Sequence, residues 1–237
     1  PSMDTEYEAG VEMGRFFAEK GIKTAAIYGA FIPNPMHVYR VAGVLSGLGL
    51  SYDGATEEGE VVGKIFTDQS VDLSKISGDI QIVSYLQGYG DTTTDEINAA
   101  IQAKPEAFIS VGMATTFFTQ QLNAAGIEFS DIDSFTQSNG EAITNGKLVY
   151  LAGKYSSSVG PAFALVLNAI NGNVIRDEQG NAVSLSQNYQ VATDEATFDE
   201  FYKSDNGDNP IYNKETLDQI IGESVTFDEI NELVTSK

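Results

Sequence analysis

The sequence predicts an α/β fold, a three-layer αβα arrangement around a parallel sheet. Three observations carry that prediction. Short apolar runs of strand length (107–111, 148–151) alternate with segments of helical period through 107–172, with almost no spare residues between them. Polar residues cluster where those strands end, at 113–116, 133–137 and 154–158, and open α/β sheets bind ligands at that edge. The 237 residues are 42% hydrophobic and 20% charged, an ordinary globular profile with ample length for a core. No apolar run is long enough to span a bilayer.

The elements follow in order. Residues 6–20 place Tyr7, Gly10, Val11, Gly14, Phe17 and Ala18 at helical spacing, with one buried face. Gly10 and Gly14 are expected to let this helix lie close to a sheet, and Gly21 to stop it. TAAIYG (24–29) reads as a short buried strand, and FIPNP (31–35), with two prolines, as irregular. A second helix is expected over 36–46, with Val41, Val44, Leu45 and Leu48 on one side. The stretch 50–79, with its acidic DGATEEGE (53–60), reads as an insertion holding a short strand and a helical turn. Residues 80–86 read as a strand and GYGD (88–91) as a turn. A helix follows over 94–103, capped by Thr93 or Thr94, with acidic residues in its first turn, and Pro105 ends it.

Further on, Phe163, Val166, Leu167 and Ile170 are expected to form the buried stripe of the last clear helix, with Pro161 in its first turn and Gly172 at its close. DEQGN (177–181) reads as a hairpin turn between 173–176 and 182–185, and 188–192 as a strand. Helices over 194–202 and 214–221 are joined by the turn-rich SDNGDNP (204–210). Its carboxylates fit no EF-hand spacing.

Charge and composition exclude several functions. With 34 acidic and 13 basic residues the net charge is −21. Such a surface repels nucleic acid and anionic lipid. The chain has no cysteine, so disulfides, thiolate nucleophiles and cysteine-based metal sites are ruled out. His37 is the only histidine, which excludes a multi-histidine metal site. A Ser-His-Asp triad would have to run through His37, and there is no G-x-S-x-G elbow. GEAITNGKL (140–148) has the wrong glycine spacing for a phosphate loop, and Leu148 stands where a Ser or Thr would bind magnesium. GLGLSYDG (47–54) lacks the third glycine of a dinucleotide fingerprint and follows a helix. Asp131 and Asp133 share one face of a strand, but no partner acid or base accompanies them. They read as turn-forming or ligand-contacting carboxylates. No enzyme constellation emerges from these residues, and none of them calls for a cofactor.

The order of these elements resembles the second lobe of a type I periplasmic (solute-)binding protein, the ribose- and galactose-binding class of ABC-importer receptors. EYEAGVEMGRFFAEKG followed by KTAAIYG is similar to the start of that lobe. RVAG (40–43) matches the family's Arg-x-x-Gly-aromatic helix start, with Val44 replacing the aromatic. DEINAAIQAKPEAFISVGMATTFF resembles the family's helix, Pro-Asp-Ala strand and ligand loop, with Glu106 in place of Asp. The run from DIDSFTQSNG to LNAING resembles its closing segment. The likeness covers residues 4–175 well and the remainder loosely.

The resemblance implies a single Rossmann-like lobe over 1–192 and a C-terminal helical return segment over 193–237 packed on the same domain. A complete receptor would carry a further lobe before Glu6, so the chain is expected to be a fragment. The opening Pro-Ser-Met-Asp shows neither the charged nor the apolar stretch of a signal peptide. The family's ligand positions carry over to Phe31, Asn34 and His37 after the first strand, with Arg40 as ligand contact or helix cap. They fall on Met113 and Thr115 where sugar-binding relatives usually place Asn-Asp, on Asp133, Phe135 and Thr136, and on Lys154 with Tyr155 beside it. Aromatic faces to stack, with amide, carboxylate and ammonium groups to orient, suit a small polar, sugar-like solute. The implied partners are that solute, the missing N-terminal lobe and the membrane permease of an ABC importer. The implied location is extracytoplasmic, in the periplasm or lipid-anchored at the cell surface. A nucleoside-binding lipoprotein of the same fold and the effector domain of a LacI-type regulator stay open as alternatives.

Overall fold

A computed structural model of the chain describes residues 3–236, with the backbone alone at 91 and 92. The elements run α1 (Asp4–Glu19), β1 (Thr24–Tyr28), α2 (Pro35–Gly47), β2 (Ser51–Tyr52), α3 (Glu58–Asp68), β3 (Ile76–Ser77), β4 (Gln81–Leu86), α4 (Asp91–Gln102), β5 (Ala107–Ser110) and α5 (Ala114–Ala125). They continue with β6 (Glu128–Ile132), α6 (Gln137–Thr144), β7 (Leu148–Gly153), α7 (Val159–Ile170), β8 (Gln190–Ala192), α8 (Glu195–Asn206), α9 (Lys214–Asp218) and α10 (Phe227–Thr235). No helix among the described residues is long and apolar enough to cross a membrane.

Six strands form one sheet in the order β4–β1–β5–β6–β7–β8. The first five are parallel, and β8 joins β7 antiparallel. β1 and β5 are buried on both faces, so helices cover both sides, and that is why these strands read as unbroken apolar runs. Tyr28, Phe108, Phe129 and Leu151 are fully buried at the centre of the core. The chain goes from β1 to β4 on one side and then returns to β5 on the other. The β1/β5 boundary is therefore the switch point of the sheet, the place where open α/β sheets hold their ligands.

Several expectations need correction. Gly10 and Gly14 face α2 rather than the sheet. A Cβ on Gly10 would meet the Arg40 carbonyl, and one on Gly43 of α2 would meet the Tyr7 carbonyl, with Gly14 and Gly47 repeating the contact a turn later. The sheet side of α1 belongs to residues such as Met13, whose sulfur accepts a hydrogen bond from Ser130 Oγ at 3.1 Å. The 50–79 segment holds more than a turn. α3 spans 11 residues on buried Val61, Val62 and Ile65, and β2 pairs antiparallel with β3. Tyr52 closes this unit, its hydroxyl donating to Asp68 at 2.6 Å and accepting from Asp72 N–H at 3.0 Å. α4 begins at Asp91 behind Gly90, with no side-chain cap, so Thr93 lies inside the helix and is buried. The 173–185 hairpin reduces to a single Arg176–Ala182 bridge around the Asp177 turn. The helix expected over 214–221 stops at Asp218, and α10, which pattern reading left out, is opened by a Thr226–Glu229 capping box.

The largest correction concerns α7. Phe163, Val166 and Ile170 are 60%, 56% and 75% exposed, and Leu167 is half-buried. The buried side is Pro161, Ala164 and Asn168. Asn168 turns inward because its amide donates to the Ile220 carbonyl at 2.8 Å and its oxygen accepts from Gly222 N–H at 2.9 Å. Ala164 joins Ile220, Ile230 and Val234 in a second small cluster apart from the main core. α8 packs instead on the main core through Phe198.

Candidate ligand-binding site

The loop after β1 is built to present its side chains. Ala30 takes a left-handed backbone (φ 52°), and Asn34 then caps α2, its side chain accepting from Met36 N–H at 3.0 Å ahead of Pro35 in the first turn. His37 Nδ1 lies 2.9 Å from Phe31 N and 3.2 Å from Phe31 O, so the Phe31 backbone holds the ring in either tautomer. Burial is the main cause that holds this imidazole below its ordinary pKa, so the ring is neutral at pH 7. The Phe31 ring lies 5.6 Å from His37 and 5.1 Å from Tyr89 edge-on, and Tyr89 stacks on Phe117 at 5.7 Å and 6°. Tyr89 is 66% exposed. This row of rings crosses the ends of β1, β4 and β5. Tyr89 and Phe117 were not foreseen, because GYGD reads as a turn and Phe117 as a helix residue.

On the other side of the switch point, Met113 is left-handed (φ 69°) and forms the N-cap of α5 without a side-chain bond. The turn is held from below. Thr115 N–H donates to Asp131 Oδ2 at 2.7 Å, and Ser110 Oγ donates to Asp131 Oδ1 at 3.1 Å. Asp131 is fully buried, and burial pushes its pKa up to about 6, with Asp133 adding to the rise and the Thr115 N–H opposing it. Asp133, next on the same strand face, accepts from Ser134 N–H at 2.8 Å.

Arg40 and Lys154 converge on Glu6 of α1. Arg40 Nε donates to Glu6 Oε2 at 2.7 Å, Nη1 to the Val111 carbonyl at 2.9 Å and Nη2 to the Tyr189 hydroxyl at 2.6 Å. Tyr189 in turn donates to Glu6 Oε2 at 2.7 Å, and Lys154 Nζ to Glu6 Oε1 at 3.0 Å. Lys154 also sits 4.3 Å from the Tyr189 ring centroid. Arg40 and Glu6 are buried, and Lys154 is the more open of the two cations. Burial would raise the Glu6 pKa, but Arg40, Tyr189 and Lys154 together hold it below its ordinary value. Glu6 and Tyr189 were missed as partners of this pair. Glu6 lies on the α1 face that carries Ala9, Gly10, Met13 and Phe17, a spacing that announces its burial.

The remaining expected residues sit elsewhere. Phe135 and Tyr155 are buried 5.9 Å apart, with Phe135 5.2 Å from Phe201 of α8. Thr136 caps α6, accepting from Asn139 N–H at 3.3 Å. The structure thus brings Phe31 and His37 together, holds Met113 and Thr115 across the switch point, and ties Arg40 and Lys154 to one carboxylate. A groove of about 420 Å³ between α6 and α8 is lined by Gly140, Thr144, Phe198 and Tyr202 and holds none of the expected residues.

The parallel six-stranded sheet with its antiparallel edge strand, flanked by helices, has the fold of one lobe of a type I periplasmic binding protein. Solved structures similar in fold include periplasmic solute-binding proteins with bound sugars. An ABC transporter periplasmic solute-binding protein from Actinobacillus succinogenes 130z with bound D-allose aligns at TM-score 0.55 and 15% identity, over 83% of this chain and 62% of that one. The arabinose-transporter binding protein of Shewanella sp. ANA-3, bound to α- and β-L-arabinofuranose, aligns at 0.54 and 16%, over 84% and 60%. A twin-arginine translocation pathway signal protein from Burkholderia phytofirmans aligns at 0.59 and 15%, over 88% and 61%. The chain therefore spans less than two thirds of the length of these proteins. No protein-family profile and no curated protein matches the sequence.

Proposed function

We propose that this chain is the solute-facing lobe of an extracytoplasmic receptor that delivers a sugar or similar small polar solute to the permease of an ABC importer. The observation that carries this reading is the row Phe31–His37–Tyr89–Phe117 beside the Met113 turn, at the switch point of a sheet whose solved likenesses hold sugars. Aromatic faces stack on a sugar's C–H surface, while the His37 imidazole and the Asp133 carboxylate offer hydrogen-bonding groups for hydroxyls. Arg40 and Lys154 are engaged with Glu6 and position the edge rather than reach from it. In this reading residues 1–192 form the lobe and 193–237 the helical return segment, no cofactor takes part, and binding rather than chemistry is the output. Closure of two lobes on the solute is then a hinge motion in which ligand selects the closed state.

The test is NMR titration of the chain with D-allose, L-arabinose and adenosine. Shifts confined to residues around Phe31, His37, Tyr89 and Met113 on adding a sugar are expected. Shifts with adenosine alone would move the assignment to a nucleoside receptor, and no shift at that edge with any of the three would overturn it.

A further inference from the structure

We propose that Asp131 is a positioning residue for the Met113–Thr115 turn at the solute edge, and that it holds this turn in its binding geometry only while its carboxylate is ionised. The consequence for solute affinity rests on the receptor reading above; the hold on the turn does not.

α5 begins without a cap of its own. Met113 stands at the N-cap position in the left-handed region (φ 69°) and makes no side-chain bond. The first N–H groups of a helix have no partner inside it. Here β6 supplies one, because Asp131 Oδ2 accepts from Thr115 N–H at 2.7 Å. Asp131 Oδ1 accepts from Ser110 Oγ at 3.1 Å, and that hydroxyl accepts from Gly112 N–H at 3.1 Å. Gly112 and Thr115, on either side of Met113, therefore hang on one carboxylate. The turn also backs onto α2. A Cβ on Gly112 would lie 3.6 Å from Arg40 Nη1 and 3.9 Å from His37 Nε2. A shift of the turn is thus a shift against His37 and the Phe31 ring beside it.

The carboxylate's hydrogen-bonding neighbours are donors: Thr115 N–H, the Ser110 hydroxyl and Ile132 N–H at 3.0 Å. An ionised carboxylate only accepts, so all three suit it, whereas a protonated one carries an O–H. On Oδ2 that proton faces Thr115 N–H. On Oδ1 it faces Ile132 N–H and the Ser110 hydroxyl, and Ser110 accepts it only by giving up its own bond to Asp131. A buried hydroxyl without a partner, Thr115 Oγ1, also lies beside the carboxylate, and a proton shared with it would exchange the Thr115 N–H bond for an O–H one. Protonation also removes a negative charge from the positive end of α5. Each of these changes releases the turn from below.

Few charges surround the group. Asp131 is fully buried, and no lysine or arginine among the described residues forms an ion pair with it. β7 sets Leu151 opposite it, and Asp133 is its acidic neighbour on the same strand. Tyr28 of β1 is the other titrating neighbour, pushed up to about 12 by burial and by Asp131 itself. Burial raises the Asp131 pKa to about 6, the Thr115 N–H opposes the rise and Asp133 adds to it. The carboxyl is therefore ionised at pH 7.5 and neutral at pH 5. A solute that needs the held turn binds the ionised form better, so affinity rises with pH through this range.

The test compares the wild-type chain with Asp131→Asn, whose side chain has the same shape and is neutral at every pH. NMR follows the Gly112 and Thr115 amides from pH 5 to 8 without solute, and calorimetry reads the affinity for L-arabinose at pH 5 and 7.5. In the wild type the two amides are expected to titrate together with a midpoint near 6, and in the variant to stay still. The wild type should bind L-arabinose about tenfold more weakly at pH 5 than at pH 7.5, the worth of one charge-assisted hydrogen bond. Asp131→Asn should bind at pH 7.5 as weakly as the wild type does at pH 5. His37 and Glu6 are present in both proteins, so the difference between them reports Asp131 alone. The wild-type titration needs no substitution, and a melt of the variant checks that it is folded. A Thr115 amide that does not move between pH 5 and 8 would overturn the proposal, as would equal affinities of the two proteins at both pH values. Titrating amides in a protein that binds no sugar at either pH would sink the receptor reading and leave the hold on the turn standing.

Discussion

Two carboxylates, Glu6 of α1 and Asp131 of β6, lie buried, and their surroundings push them in opposite directions. Glu6 shares its pocket with Arg40, Lys154 and the Tyr189 hydroxyl, and its pKa is held down despite burial. Asp131 meets only neutral donors, the N–H groups of Thr115 and Ile132 and the Ser110 hydroxyl, and its pKa rises to about 6. Burial acts the same way on both. The presence of a cation decides the sign. Glu6 is therefore a charged hub binding α1, α2 and the segments at Lys154 and Tyr189. Asp131 is a polar prop under one turn that becomes easier to bury when it takes up a proton.

The sharpest way to break this comparison is to remove the hub. Glu6→Ala strands the buried Arg40 guanidinium and should cost about 3–5 kcal/mol in a urea melt, because a buried charge loses its partner. A loss of under about 1 kcal/mol would show that solvent already reaches the network.

The second prediction concerns pH. The folded pKa of Asp131 lies above its unfolded value, so the folded state holds the extra proton between about 4 and about 6. Its contribution is therefore greatest at low pH and is lost as pH rises through that window. Relative to Asp131→Asn, the wild type should weaken by ~2 kcal/mol across it and then level off. Glu6 runs the other way: its contribution is present at neutral pH and is lost as pH falls through its depressed value, below the ordinary 4.5. Stability curves of wild type and the Asp131→Asn variant that stay parallel from pH 4 to 7 would remove the contrast.

The smallest effect should come from Tyr189→Phe, about 1–2 kcal/mol. It deletes one donor to Glu6 and one acceptor for Arg40 while leaving the ion pair in place. Thermal melts at low and high salt would check it, since the remaining buried pair should respond only weakly to screening.

The fold was legible in the sequence wherever burial is two-sided. β1 and β5 must be apolar along their whole length, so TAAIY and AFIS declare themselves. Legibility ended where a residue's partner lies far along the chain. The spacing of Glu6 with Ala9, Gly10, Met13 and Phe17 marks it as buried, but nothing local names its partners, 34 and 148 positions away. The stripe on α7 was read correctly as apolar and wrongly as buried, because periodicity reports composition and not whether a covering layer is present. In the 50–79 stretch, acidic residues and glycine masked a helix whose buried side is only Val61, Val62 and Ile65. The carboxyl edge of the sheet could be located from strand ends alone. Which side chains stay free there could not, since Phe135 and Tyr155 are claimed by α8 and Arg40 by α1.

The glycine seam between α1 and α2 has a mechanical meaning. Where helices meet through long side chains, rotamer changes absorb small displacements. Here backbone rests on backbone at Gly10 and Gly43, with no side chain between to give way. α1 and α2 therefore move as one rod. A displacement of the Asn34–His37 turn carries the first residues of α1 with it, and a pull at those first residues is felt at the turn.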